Sequence, residues 1–242
     1  MTVNAAVPIF RDGPGAMAPV LVVSGMAFEA ALAAGPDVET LHGFGGARLA
    51  DRLGSRLRKP CRGVVSFGFA GGLDPALRPG AVVIGDAVHG PDGGLAADPA
   101  WTAALLAALP MARRGVLAGV DLPVATVAAK RALHRRHGAL AVDMESHLVA
   151  ALARAHGVPF ALCRIVVDPA QRPVPAAALA AVDASGAVHV PGVLRALAAH
   201  PLQLGALLRL AADAFAARRA LRGVRQRVGA GFGLPRDAGL AG

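Results

Sequence analysis

The sequence predicts an α/β fold with a largely buried sheet, and two observations carry that prediction. Apolar runs alternate along the chain with Ala/Leu/Arg segments of helical period, the order expected when strands and helices succeed one another. A length of 242 residues, with 55% hydrophobic and 17% charged, suits one compact domain with a sizeable core. Residues 1–228 are therefore expected to form a single domain, and the Gly-rich stretch 229–242 a frayed tail.

Taken in order, PVLVVSG (19–25) reads as a first strand and MAFEAALAA as a short helix after it. GGARLADRLGSRLRK (45–59) has the spacing of an amphipathic helix. GVVSFGFAGG (63–72) is a buried strand that ends in a glycine turn, and GAVVIGDAV (80–88) is another strand. DPAWTAALLAAL (98–109) is a helix with Asp98 placed to cap it. RGVLAGV (114–120) and GALAV (138–142) read as strands around the helical VAAKRALHRR. A helix MESHLVAALARAH, a strand VPFALCRIVV (158–167) and further helices from Val193 to about Val228 complete the chain. In the helix after Val142, the spacing of Met144, Leu148 and Leu152 predicts a face turned to the core.

Composition narrows the function. Basic residues number 25 against 16 acidic, a formal charge of +9, yet Lys59 and Lys130 are the only lysines. Arg-rich, Ala-rich usage without Tyr points to genomic GC bias. With eight Phe and one Trp, the chain also lacks the aromatic platforms of a nucleic-acid binder. No nucleic-acid partner is expected. Cys61 and Cys163 are far apart and adjoin apolar runs, so both are expected as buried free thiols in a reducing compartment. The first residues carry Asp12 where a signal peptide would be apolar, and Gly13 to Phe28 is broken by Pro and Gly. A cytoplasmic location is expected. No His or Cys spacing matches a metal site; His134, His137, His147 and His156 read as helix-surface histidines. HGFGGAR (42–48) lacks the glycine at the sixth position of a dinucleotide fingerprint, and neither metal nor cofactor is expected.

Ligands of such sheets collect at the carboxyl ends of strands, and four ends carry polar groups. The first is Gly25-Met26-Ala27-Phe28-Glu29 and the second Gly68-Phe69-Ala70-Gly71-Gly72-Leu73. Val142-Asp143-Met144-Glu145 is the third, and the fourth runs from Arg164 to Asp168. A carboxyl leaving a buried strand has its pKa raised and suits a general acid, although capping before Pro169 would also explain Asp168. Glu145 falls in the first helical turn, where free N–H groups favour a carboxylate.

In this order, and with Arg78-Pro79-Gly80 after the glycine turn, the four ends resemble the nucleoside phosphorylase and nucleosidase superfamily, especially its methylthioadenosine/S-adenosylhomocysteine nucleosidase branch. The wording VDMESH, SFGFAGGLDP and HPLQLGALLRL looks most like the hopanoid-associated phosphorylase group, which removes adenine from adenosylhopane. The resemblance covers most of residues 19–170. It implies a three-layer α/β/α fold with a central mixed, partly barrel-like sheet, and cleavage of an N-glycosidic bond.

It also implies roles. Asp168 would protonate adenine N7, Glu29 would orient or deprotonate the attacking water, and Glu145 would accept hydrogen bonds from the ribose hydroxyls with Met144 against the sugar. Met26, Phe69, Gly71 and Arg164 would complete the substrate-binding set. Ser66 and Phe69 stand where phosphorolytic relatives place phosphate-holding groups, which favours water unless Arg48 or another arginine supplies charge. Leu122 or Val124 would pack the base. The C-terminal Leu204, Leu207, Leu208, Leu210 and Phe215, among arginines, would cover a channel for a 5′ substituent, touch a membrane surface, or form a docked helix with a solvated basic face. The expected partner is a small purine nucleoside, lipid-linked in the hopanoid case, and the enzyme a homo-oligomer. Phosphorolysis to a ribose 1-phosphate is the rival reaction. A purine- or lipid-binding module is the rival class, disfavoured because a binder has no need of both a leaving-group acid and a water base.

Overall fold

The computed structural model describes residues 17–43, 46–179 and 204–235. Eight strands form one sheet: β1 (Val20–Ser24), β2 (Val38–His42), β3 (Gly63–Gly72), β4 (Val82–Gly90), β5 (Gly93–Ala96), β6 (Arg113–Gly119), β7 (Ala141–Asp143) and β8 (Phe160–Asp168). Neighbours run β2-β1-β3-β7-β6-β4-β5, and β8 pairs with both β3 and β4. That double pairing closes β3, β8, β4, β6 and β7 into a five-stranded barrel-like ring of mixed direction. A mixed sheet closed in part into a barrel and covered by helices is the architecture that the resemblance implied.

Helices cover the ring: α1 (Ala27–Ala33), α2 (Ala47–Leu57), α3 (Pro99–Ala108), α4 (Val127–His137), α5 (Ser146–Ala155), the short α6 (Ala176–Leu179) and α7 (Leu204–Arg227). Burial follows the period in α2, where Leu49, Leu53 and Leu57 face the core. Asp98 caps α3, its carboxylate accepting from the Trp101 amide at 2.8 Å. Two apolar clusters fill the two sides of the sheet. One is centred on Phe67, Ile165 and Trp101 and the other on Leu21, Val64 and Leu162.

Several expectations are corrected. β2 and β5 are strands that the pattern does not announce, since VETLH is half polar and GGLA is exposed. Helix α5 starts at Ser146, so its buried face is Ser146, Val149, Ala150 and Ala153; Leu148 and Leu152 are only partly buried, and Met144 precedes the helix. Small residues on that face let the helix lie close to the sheet. Cys61 is only half-buried, and His147 is held against Asp121 rather than solvated. Residues 229–235 are not a tail. Phe232 is fully buried, stacks edge-on against Phe67 and accepts a 2.8 Å hydrogen bond from Trp101 Nε1 at its carbonyl. The expected helices begin at Val193, and that start lies outside the described residues, as does 236–242. No helix among the described residues is long and apolar enough to cross a membrane.

Candidate active site

The carboxyl ends of β1, β3, β7 and β8 meet at one cavity of about 930 Å³. Met26, Phe69, Gly71, Met144, Glu145 and Asp168 line it, six of the eight residues expected at the site. Val120, Pro123, Val124, Val142, Val167 and Val174 give it an aliphatic lining. Of the two residues expected to pack the base, Val124 lines the cavity, whereas Leu122 is 77% exposed and is not in the wall. From α7, Leu204, Leu207, Leu208, Leu210 and Phe215 form the outer wall. The second half of the same helix buries Ala217, Leu221 and Val224 in the core.

The other two expected residues, Glu29 and Arg164, stand just behind this lining, each 1% exposed. Glu29 is at the third position of α1 and turns back toward the helix start. One oxygen accepts from the Met26 amide at 2.9 Å, the other from the Phe69 amide at 2.7 Å. Gly68 makes room for it: with φ +153°, a Cβ there would stand 2.7 Å from Glu29 Oε2. Burial raises the Glu29 pKa, and Arg164 opposes that.

Arg164, expected to touch substrate, is instead turned onto protein groups. Its Nε stands 3.0 Å from Asp143 Oδ2, and its Nη2 donates to Glu145 Oε2 at 3.2 Å and to Ser66 Oγ at 2.6 Å. Nη1 donates to the Phe69 carbonyl at 3.3 Å. Asp143 holds the turn itself, Oδ1 accepting from the amides of Glu145 and Ser146 at 3.0 and 2.7 Å. Two acids at this junction thus divide the work: Asp143 fixes the backbone and Glu145 faces the cavity.

Glu29, Asp143 and Glu145 surround one guanidinium, an excess of negative charge in a buried place. Burial, with Asp143 and Glu29 adding to it against the pull of Arg164, pushes the Glu145 pKa up to about 8. A carboxyl whose folded pKa lies above its unfolded one makes the native state the tighter proton binder. Its contribution is complete below about pH 4.5 and is lost as pH rises to about 8. Unfolding free energy should fall across that window by up to about 1.4 kcal/mol per pH unit from this group. In Glu145→Gln the slope from this group should be gone, which denaturant titrations between pH 5 and 9 would measure.

Asp168 closes β8. The register of β3 against β8 shifts just there, Ala70 facing Val166 but Gly71 facing Asp168, and such bulges re-aim side chains beside active sites. Burial raises its pKa, opposed by Lys130. Lys130, on α4, was not singled out by sequence, yet it is fully buried with Nζ 2.5 Å from Asp168 Oδ2. The one signal in the sequence is its retention as lysine in a chain whose other cations are nearly all arginine.

The sequence matches the profile of the Phosphorylase superfamily over residues 22–199. No curated protein matches it. Among solved structures it is similar to the 5′-methylthioadenosine/S-adenosylhomocysteine nucleosidase of Neisseria meningitidis in complex with methylthio-immucillin-A. That similarity has a TM-score of 0.59 and 21% identity, over 64% of this chain and 87% of that one. The S-adenosylhomocysteine nucleosidase of Streptococcus pyogenes gives 0.58 and 19%, over 66% and 87%. Futalosine hydrolase of Helicobacter pylori gives 0.58 and 16%, over 64% and 86%.

Proposed function

The chain belongs to the Phosphorylase superfamily and is an enzyme that cleaves glycosidic bonds; on that premise we propose that it releases adenine from an adenosine modified at the 5′ position, with water as nucleophile. The observation that carries this reading is the grouping of a Glu29–Glu145–Arg164 cluster and a lysine-backed Asp168 around one apolar cavity. Breaking an N-glycosidic bond develops positive charge on the sugar and negative charge on the base. A carboxyl at the base and carboxylates near the ribose answer both, as the two carboxyls of glycoside hydrolases do.

In this reading Asp168 delivers a proton to N7, Glu145 takes the ribose hydroxyls with Met144 against the ring, and Glu29 draws the proton from water. A raised pKa suits Glu29 to that task. Water is favoured over phosphate because the two deepest groups that could hold an anion are occupied: Ser66 is buried against Arg164 and Ser146, and Arg164 is surrounded by carboxyl groups, while Arg218 of α7, which borders the cavity, lies over the Phe28 ring. Phe69 fills the wall beside them, packed on Phe28. Arg48, the suggested alternative, is exposed in α2 and does not line the cavity.

The 5′ substituent is proposed to be the hydrocarbon of adenosylhopane. The α7 wall supports this, with Leu204, Leu208 and Phe215 at 48%, 62% and 73% exposure bordering the cavity. The test is to incubate the enzyme with adenosylhopane and, separately, methylthioadenosine, with and without phosphate, and to identify both products. Adenine plus ribosylhopane without phosphate is expected. A requirement for phosphate, with a ribose 1-phosphate product, overturns the choice of nucleophile, and preference for methylthioadenosine overturns the choice of substituent.

A further inference from the structure

Lys130 makes three hydrogen bonds and has three protons to give: to Asp168 Oδ2 at 2.5 Å, to the Pro169 carbonyl at 2.9 Å and to the Arg172 carbonyl at 2.9 Å. Its side chain has no exposed surface, while that of Asp168 is 13% exposed and borders the cavity. The hydrogen-bond geometry accommodates two placements of the proton. As an ammonium, Lys130 fills all three acceptors. As a neutral amine it still donates two N–H bonds to the two carbonyls, and its lone pair accepts from a protonated Asp168. Proton transfer between the two side chains therefore leaves no polar group unpaired.

We propose that Lys130 is a positioning residue that recharges the leaving-group acid: as the C1′–N9 bond breaks and its electron pair departs with the base, Asp168 gives a proton to the purine and takes one from Lys130. The balance is simple. Asp168 begins and ends as a carboxylate: it takes the proton from the Lys130 ammonium and passes it to the purine, which gains one proton, and Lys130 is left as an amine until solvent restores its proton after the base has gone. The proton that water loses on attacking C1′ goes separately to Glu29. This role rests on the proposed base release and adds to it the source of the proton.

The same geometry says why the residue is lysine. A guanidinium keeps its protons and could hold Asp168 only as a carboxylate. Lys130 is one of two lysines in a chain with 25 basic residues.

The experiment compares the nucleoside that the wild type cleaves, adenosylhopane or methylthioadenosine, with its N7-methylated counterpart, whose base leaves neutral and needs no proton. Lys130→Arg and Lys130→Met should each lose about 100-fold or more in kcat on the ordinary nucleoside and no more than about threefold on the N7-methylated one. In the wild type, kcat for the ordinary nucleoside should fall at high pH, as the pair loses its proton, while the N7-methylated substrate shows no such fall. Where neither variant folds, Lys130→Gln, which keeps donors for the carbonyls of Pro169 and Arg172 but carries no transferable proton, takes their place with the same expected split between the two substrates. Full activity of Lys130→Arg, equal losses on both substrates, or parallel pH profiles would overturn the proposal and reduce Lys130 to a structural ion pair. A wild type that releases no base from either nucleoside would instead overturn the functional reading beneath it.

Discussion

Asp168→Asn is expected to lower kcat for adenine release by about two to four orders of magnitude, the range that a positioned general acid contributes, with KM little changed. Asparagine has the shape of aspartate and its oxygen can still accept from Lys130, so the wall of the cavity is kept. It has no acidic proton, so the base must leave as an anion in an apolar pocket. Breaking a buried ion pair costs about 3–5 kcal/mol when the stranded charge has no escape. Here the ammonium keeps all three acceptors, the oxygen of the new asparagine and the carbonyls of Pro169 and Arg172, and the loss of stability should be smaller. Steady-state kinetics with a melting curve on the same preparation separates the two effects. Wild-type turnover in the Asn variant would move the acid to another residue.

Arg164→Met should be the most damaging single substitution to stability. The guanidinium touches Asp143 at 3.0 Å and Glu145 at 3.2 Å and lowers the pKa of Glu29 through space. Removing it leaves three buried carboxyls with no cation, for which about 3–5 kcal/mol is expected. The remedy open to the protein is to protonate them, so the deficit should be smaller near pH 5 and larger near pH 8. Lysine cannot substitute, since one ammonium cannot face two carboxylates, Ser66 and the Phe69 carbonyl together. Unfolding titrations at the two pH values test this. Equal losses at both would mean that the carboxyls are not held by Arg164.

The lining of the candidate site was largely legible because its polar groups sit at strand ends, and strand ends are local. A run such as Val158–Val167 announces where it stops, and Asp168 is the next residue. Roles within the site were less legible because they depend on which atoms meet across the sheet. Arg164 has the look of a ligand clamp, but its neighbours Asp143 and Ser66 come from β7 and β3 and take up its donors. Lys130 lies in a helix with four other basic or histidine residues in its last turn, and nothing nearby in the chain predicts that two carbonyls after β8 will meet it. The ring closure was beyond pattern for the same reason: that β8 has β3 on one side and β4 on the other is a fact about pairing, not about β8. Phe232 is hidden from pattern because the glycines around it read as a tail, and only the Trp101 side chain shows what it caps.

The double pairing of β8 also separates durability from traffic. A strand hydrogen-bonded along both edges has no local way to open; its amides become accessible when the ring as a whole gives way. Arg164 and Asp168, both carried on it, therefore keep their spacing for the lifetime of the native state. In the reaction proposed, admission and release of the nucleoside would fall to the outer wall, where the first half of α7 rests on the cavity with its leucines half in solvent. Half-life and turnover are thus governed by different lengths of chain, and one can be altered without the other.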